Sequence, residues 1–236
     1  VIALITVIAR GYLMWWRRRP TRGSAWAAGR PPVRGAIRRA PVGIVVAGVI
    51  ATALIGWFGP ESVLLVIDVQ AKLAPFIHDN AAVVDACVWL ARVAERIGVP
   101  VVVTEHFPEK IGGTLDLVRE VTTNAQYVGK QCFSAQADGC LAGTAVEQRR
   151  QVVVVGTEAH VCVMQTVLDL RWQGKEVFVV ADAVGSRKPA DKEAALARMR
   201  SHGVEIVTRE MVAFEWLHDS AGPLFREINR DFIRDN

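Results

Sequence analysis

The sequence predicts an α/β domain in which helices cover both faces of a parallel sheet. From residue 61 onward, short runs of Val, Ile and Leu recur without polar alternation, which is typical of strands buried on both faces. Segments of helical length and helical apolar spacing separate these runs. Because parallel strands need long crossovers, this alternation indicates right-handed βαβ units and a sheet covered on both sides.

The predicted strands end at polar or turn-forming residues. The first apolar run ends at Asp68, a weaker one around Tyr127 leads to Lys130, and a run of four valines ends at Gly156. Together these signals predict strands at residues 62–67, 99–104, about 127–128, 151–156, 175–180 and 204–207. Residues 105–108 are predicted to form a polar loop after the second strand.

The predicted helices have recognisable ends. Asp79 and Asn80 can cap a helix that Gly98 stops, while Pro189 favours the start of a helix that Gly203 closes. Helices are therefore predicted over residues 80–97, about 138–149, about 160–173 and from 189 toward 203, with one or two more after residue 207.

Charge divides the chain into two parts. Residues 1–60 hold nine arginines, no lysine and no acidic residue, whereas residues 61–236 hold 19 basic against 24 acidic residues. The basic character therefore belongs to an Arg-rich, apolar N-terminal extension, residues 1–60. The net charge of the remaining domain, residues 61–236, gives no reason to expect a nucleic-acid partner.

Residues 40–60 are uncharged and about long enough to cross a bilayer. Arginines precede this run and Trp57 and Phe58 lie near its end, which favours a membrane anchor and membrane contact through the run. The chain begins with Val, so a start assigned too far upstream, a disordered extension or a folded one remains an alternative. The sequence leaves these interpretations open.

The four cysteines, Cys87, Cys132, Cys140 and Cys162, are widely spaced and form no CxxC pair. This spacing argues against a zinc site or a disulfide scaffold. Unpaired thiols are typical of a reducing compartment, which predicts a cytoplasmic location for the domain and fits poorly with an anchored, exported one.

Three residues of different chemistry are predicted at the carboxyl ends of strands, where α/β sheets place their ligand sites. Asp68 and Lys130 follow strands, and Cys162 lies in the first turn of a helix. Free N–H groups and the helix dipole at that turn favour a thiolate and an oxyanion site. The set suggests a base, a cation and a nucleophile, although each residue alone has an ordinary structural role: turn residue, solvated cation or core cysteine.

Three segments resemble the signatures of the isochorismatase-like cysteine hydrolases and stand in that family's order. They are Leu-Val-Ile-Asp-Val-Gln at 65–70, Lys-Gln-Cys-Phe-Ser-Ala at 130–135 and Gly-Thr-Glu-Ala-His-Val-Cys-Val at 156–163. The Thr-Glu-Ala-X-X-Cys form, with Ser186 and Arg187 downstream, is most similar to the isochorismatase domain-containing branch. The resemblance implies a three-layer α-β-α fold with a six-stranded parallel sheet in Rossmann-like order.

The resemblance also implies roles for residues. Asp68 matches the general base, Lys130 the lysine and Cys162 the nucleophile of a catalytic triad. It further implies a cis peptide between Thr157 and Glu158, and an oxyanion hole made by the N–H groups of Glu158 and Cys162. The implied reaction is hydrolysis of a small amide or related C–N substrate through a thioester, without a cofactor, in a homo-oligomer. The alternative is a catalytically idle scaffold of the same fold.

The sequence departs from the family's metal-binding members. Nicotinamidases hold a metal through an Asp-X-His pair, whereas residues 104–108 here read Thr-Glu-His-Phe-Pro, so no metal site is predicted. True isochorismatases lack the nucleophilic cysteine, so Cys162 argues against vinyl ether cleavage. Glu105 and His106 are predicted to line a substrate pocket instead. Gln70 and Phe133 are predicted to shape that pocket or pack beneath it, and Cys132 and Cys140 to be structural.

Overall fold

The computed structural model describes residues 61–234 and has a six-stranded sheet in the order β3-β2-β1-β4-β5-β6. Every pair of neighbouring strands is parallel. The strands are β1 Ser62–Ile67, β2 Val101–His106, β3 Gln126–Lys130, β4 Gln151–Thr157, β5 Glu176–Gly185 and β6 Glu205–Val207. The predicted fold class is confirmed.

Helices connect the strands and cover the sheet. They are α1 Asn80–Ile97, α2 Pro108–Ile111, α3 Asp116–Arg119, α4 Ala135–Asp138, α5 Ala145–Gln148, α6 Met164–Trp172, α7 Pro189–Ser201, α8 Arg209–Leu217 and α9 Pro223–Ile228. A 3-10 turn at Ala74–Phe76 and π-helical turns at Ala159–Val163 and Asn229–Ile233 complete the described part.

Two hydrophobic cores lie on opposite faces of the sheet because successive strand residues point to opposite sides. Val153 and Val155 of β4 face the core that contains α1 and α8, whereas Val152 and Val154 face the core that contains α6 and α7. All four valines are fully buried. This two-sided burial explains why the strands are apolar runs without alternation.

The structure moves some predicted boundaries. β1 and α1 agree with the prediction, although Asp79 at the start of α1 makes no side-chain capping hydrogen bond. The second strand begins at Val101, which pairs with Leu64 of β1. Glu105 and His106 belong to β2 and not to a loop, because they pair with Gly129 and Lys130 of β3. Of the helix predicted over 138–149, only Ala145–Gln148 (α5) and Asp138, the last residue of α4, are helical, because Gly139 and Gly143 adopt positive φ between them.

The central strands β1 and β4 form the topological switch point of the sheet, where the strand order reverses. The crossover from β1 leads to β2 on one side, and that from β4 leads to β5 on the other. Loops that diverge in this way leave a crevice at the carboxyl ends of the two strands. The strands approach closely there: a Cβ on Gly156, which has φ +130°, would lie 2.1 Å from the carbonyl oxygen of Ile67.

Within residues 61–234, no helix combines the length and the apolar character that a membrane span requires. The run proposed as an anchor, residues 40–60, lies outside the described residues, as does the rest of the extension. The anchor therefore stays a prediction.

Candidate active site

The structure brings Asp68, Lys130 and Cys162 together at the crevice between β1 and β4. Lys130 ends β3 and reaches past β2, so that its Nζ lies 2.7 Å from Oδ2 of Asp68, and both side chains are fully buried. Cys162 lies in the π-helical turn that follows β4 and is 3% exposed. The charges of both groups act on its thiol: that of Asp68 raises the pKa of the thiol and that of Lys130 lowers it.

Asp68 is held in an unusual conformation. Its φ of 51° is in the left-handed region, which costs a residue other than glycine about 1–3 kcal/mol and persists where surrounding contacts enforce it. Thr104 supplies two of those contacts: its hydroxyl donates to Oδ1 of Asp68 at 2.7 Å, and its carbonyl accepts from the Asp68 N–H at 3.2 Å. Sequence reasoning did not single out Thr104, whose only signal was its position near the end of a predicted strand.

Lys130 is fixed by four groups around its ammonium. Besides Asp68, Nζ donates to the carbonyl oxygens of Cys132 at 3.2 Å and Phe133 at 3.0 Å, and it lies 3.5 Å from Nδ1 of His106. Burial, together with the charge of Lys130, lowers the pKa of His106, so the imidazole is neutral at pH 7. The ammonium is therefore anchored by acceptors and directed at the carboxylate.

The Cys162 thiol is protonated at neutral pH, contrary to the prediction of a thiolate. Burial, and after it the negative charge of Asp68, raise its pKa from 9.0 to about 12 against the lowering effect of Lys130. Desolvation of the charged form thus outweighs the helix terminus and the lysine. A nucleophilic Cys162 needs a base in contact with it, and Asp68 has that position.

The peptide bond between Thr157 and Glu158 is trans, so the prediction of a cis bond is wrong. The turn is made instead by Gly156, with φ 130°, and by Glu158, with φ 55° in the left-handed region. The Thr157 hydroxyl donates to the carbonyl of Asp68 at 2.6 Å, which links this turn to the end of β1. The Glu158 N–H was assigned to the oxyanion hole on the basis of the cis bond, and that basis is lost. The Cys162 N–H remains a predicted donor.

Gln70 and Glu105 form hydrogen bonds with the segment that follows β2, beside the site. The fully buried Gln70 amide donates to the carbonyls of His106 at 3.0 Å and Gly112 at 2.6 Å, and accepts from the His106 N–H at 2.8 Å. Oε1 of Glu105 accepts from the N–H and hydroxyl of Thr114, both at 2.8 Å, and also pairs with an arginine. Both side chains therefore brace the segment that follows β2.

His106 and Phe133 lie nearer the opening. The His106 ring lies 4.9 Å from the ring of Phe107 and 5.5 Å from that of Phe133, centroid to centroid. Phe133 is 52% exposed, a high value for an aromatic side chain next to a buried ion pair. An open cleft of about 470 Å³ adjoins Lys130 and is lined by Phe107, Pro108, Glu109, Gly129, Lys130, Gln131, Cys132 and Asp138.

The remaining cysteines differ in environment. Cys87 is buried and donates to the carbonyl of Ala183 at 3.2 Å, and burial raises its pKa to about 12. Cys140 is half-buried, with a pKa raised to about 11, whereas Cys132 is exposed on the cleft. In the part of the chain that the structure describes, no three His, Cys, Asp or Glu side chains are grouped as a metal site would need.

Fold and site together define a doubly wound α/β protein with an acid, a lysine and a thiol gathered at its switch point. The chain matches the family model described as "Isochorismatase domain" over residues 62–211. It belongs to the isochorismatase family. It is 33% identical over 187 residues to isochorismatase domain-containing protein 2A of Mus musculus, across 76% of this chain and 87% of the mouse protein, which confirms the predicted branch.

Solved structures share the fold. The MAR1 ribonuclease of Caenorhabditis elegans matches with a TM-score of 0.70 and 32% identity, across 74% of this chain and 91% of that one. The YcaC gene product of Escherichia coli, described as an octameric hydrolase of unknown specificity, matches with a TM-score of 0.70 and 21% identity. That alignment covers 76% of this chain and 92% of the YcaC chain and shows the fold alone.

Proposed function

We propose that this protein is a cysteine hydrolase that cleaves a small amide or a related C–N bond through a thioester intermediate. One observation carries the proposal: the fully buried ion pair of Asp68 and Lys130 lies at the carboxyl ends of the strands, beside the turn that holds the buried Cys162, and both charges act on its thiol. A buried ion pair stabilises a fold weakly at best, so its placement against a thiol favours a chemical role.

The first step joins Cys162 to the substrate. Because the thiol is protonated at neutral pH, Asp68 takes its proton as Sγ attacks the carbonyl carbon. Lys130 offsets the charge on the sulfur and keeps the carboxylate in place through its 2.7 Å contact. The negative charge on the substrate oxygen is met by N–H groups at the start of the helical segment, including that of Cys162.

The second step releases the amine and then the acid. The proton held by Asp68 passes to the leaving nitrogen, the C–N bond breaks, and ammonia or an amine departs from the thioester. Asp68 then takes a proton from a water molecule, which attacks the thioester carbon. The C–S bond breaks, Cys162 regains its proton from Asp68, and a carboxylic acid leaves.

A cleft near the site has the dimensions of a small-molecule pocket. It adjoins Lys130 but is lined by neither Asp68 nor Cys162, and its volume of about 470 Å³ is at the lower end of the range for such pockets. Residues 61–236 have more acidic than basic residues, which disfavours a polyanionic substrate such as the one implied for the nematode ribonuclease. A homo-oligomer, which the family resemblance implies, is part of the proposal; the YcaC protein, which shares the fold, is described as octameric.

A panel of small primary amides, with ammonia release as the readout, tests the proposal. The full chain should release ammonia from at least one amide, and Cys162→Ser and Asp68→Asn should each reduce kcat by about 100-fold or more. Cys140→Ser, which removes a half-buried thiol outside the cleft, should retain activity within a few-fold. Release that is unaffected by Cys162→Ser refutes the mechanism. No release from any amide by folded protein favours the alternative, an idle scaffold.

A further inference from the structure

Glu158, in the turn before the nucleophile, has a carboxylate that is nearly enclosed. The residue is 9% exposed, and its backbone adopts φ 55°. Oε1 lies 3.0 Å from Nε of Arg187, and the fully buried Oε2 lies 3.5 Å from Nδ1 of His160 without a hydrogen bond. The left-handed backbone and the burial of the carboxylate each cost free energy. The two partners of the carboxylate are therefore candidates for the groups that offset this cost.

Both partners connect the turn to the loop after β5. Thr157 pairs with Gly185 at the ends of β4 and β5, so the next residues of the two strands leave the sheet side by side. His160 Nδ1 lies 3.0 Å from the hydroxyl of Ser186, which is 2% exposed. The Ser186 carbonyl in turn accepts from the N–H of His78 at 2.9 Å. The loop after β5, which contacts the turn at Glu158, is thus itself held by a hydrogen bond from His78.

The same turn carries the groups that the reaction needs. The hydroxyl of Thr157 holds the backbone of Asp68 at 2.6 Å, and Cys162 follows Glu158 by one helical turn. A change in the backbone at Glu158 therefore moves the base and the thiol relative to one another. Misplacement of reacting groups by about 1 Å is enough to reduce a rate by about 100-fold.

We propose that Arg187 and His160 are positioning residues that act through Glu158 to hold the nucleophile turn in its left-handed conformation. Arg187 neutralises the enclosed carboxylate, and His160, held by Ser186, packs its ring nitrogen 3.5 Å from the second carboxylate oxygen. The ion pairs and hydrogen bonds described for the two side chains are to Glu158, Ser186 and Asp191. The inference deepens the proposed function, since it concerns the same thiol, and it assigns a role to the Ser186-Arg187 pair that the family motifs leave without one.

Alkylation of Cys162 by iodoacetamide tests this proposal without a substrate. The experiment uses the full chain with Cys132→Ser, to remove the exposed thiol, and resolves each cysteine by peptide mass spectrometry. Arg187→Ala should slow Cys162 alkylation by about tenfold, the ratio that corresponds to ~1.4 kcal/mol. Arg187→Lys should recover part of the rate because a cation returns beside Glu158. On an amide that is hydrolysed, kcat should fall by a similar factor while KM changes less than twofold.

The matched control is Arg150→Ala, which breaks an arginine–glutamate pair of 2.7 Å with Glu176 at the opposite, amino ends of β4 and β5. It should alkylate as fast as the parent. Alkylation of Arg187→Ala within twofold of that control overturns the proposal, as does an Arg187→Lys variant as slow as the alanine. If Arg187→Ala does not fold, Glu158→Gln replaces it, since it removes the charge and keeps the shape of the side chain. Slower alkylation of Cys162 then supports the proposal, and alkylation within twofold of the control overturns it. Absence of amide hydrolysis would sink the proposed function but leave the alkylation result to judge this inference.

Discussion

Replacement of Lys130 by methionine tests how strongly the ion pair is coupled to the fold. The two charges are 2.7 Å apart and fully buried, so their attraction is about 6 kcal/mol at an effective dielectric constant of about 20. Lys130→Met removes that attraction and leaves Asp68 buried with the Thr104 hydroxyl as its remaining side-chain hydrogen bond. Loss of one partner of a buried pair costs about 3–5 kcal/mol of unfolding free energy, which is the expected effect here.

Urea unfolding at pH 7, followed by circular dichroism, measures this cost. Asp68→Asn combined with Lys130→Met should be less destabilised than the sum of the two single variants, by about 1–3 kcal/mol, because the double variant buries no charge. Arg150→Ala is the control, since its pair with Glu176 has the same 2.7 Å separation but an arginine that is 70% exposed. It should cost at most about 1 kcal/mol. A Lys130→Met cost below about 1 kcal/mol, or strict additivity in the double variant, refutes the reasoning.

Two further predictions concern packing and pH. Gly156→Ala should reduce the unfolding free energy by about 3 kcal/mol or more, because the new Cβ would lie 2.1 Å from the Ile67 carbonyl oxygen at a φ of +130°. The control, Gly129→Ala, has no atom within 4 Å of its Cβ and should cost less than about 1 kcal/mol in the same urea assay. Burial raises the pKa of Cys87 from 9.0 to about 12, so the unfolded chain loses the thiol proton at a lower pH than the folded chain. The contribution of Cys87 to the unfolding free energy should therefore be complete below pH 9.0 and decrease as the pH rises toward 12. Urea titrations at pH 8 and 10 should show that the unfolding free energy decreases with pH, and Cys87→Ala should reduce this decrease by up to about 1.4 kcal/mol per pH unit. The same decrease with and without Cys87 would contradict the prediction.

Parts of the fold that depend on local sequence were predictable. β1 has the predicted bounds because its apolar run is both the strand signal and the buried element. α1 has the predicted bounds because a turn precedes it and Gly98, at φ 78°, ends it. The boundary of β2 was predicted two residues early, since its start is set by pairing with Leu64 of β1 and not by its own residues. Pairing between distant segments has no local signal.

The candidate site divides in the same way. The residue types and their order along the chain identified Asp68, Lys130 and Cys162, and the structure pairs the first two where both charges act on the Cys162 thiol. The support from Thr104 was missed because a threonine near the end of a strand is unremarkable in the sequence. The ion pair between Glu158 and Arg187 was missed because Arg187 comes from the loop after β5, which becomes adjacent to Glu158 only when β4 and β5 pair.

The sequence by itself determined the class of fold, the family and the three residues on which the proposed chemistry rests. Apolar runs and turn residues act locally, so their pattern can be interpreted along the chain. Only the tertiary structure decided that the Cys162 thiol is protonated, that Thr157–Glu158 is trans and that Gln70 and Glu105 brace a segment beside the site. These properties depend on burial and on charges brought from other strands, which the chain acquires only when the sheet has formed.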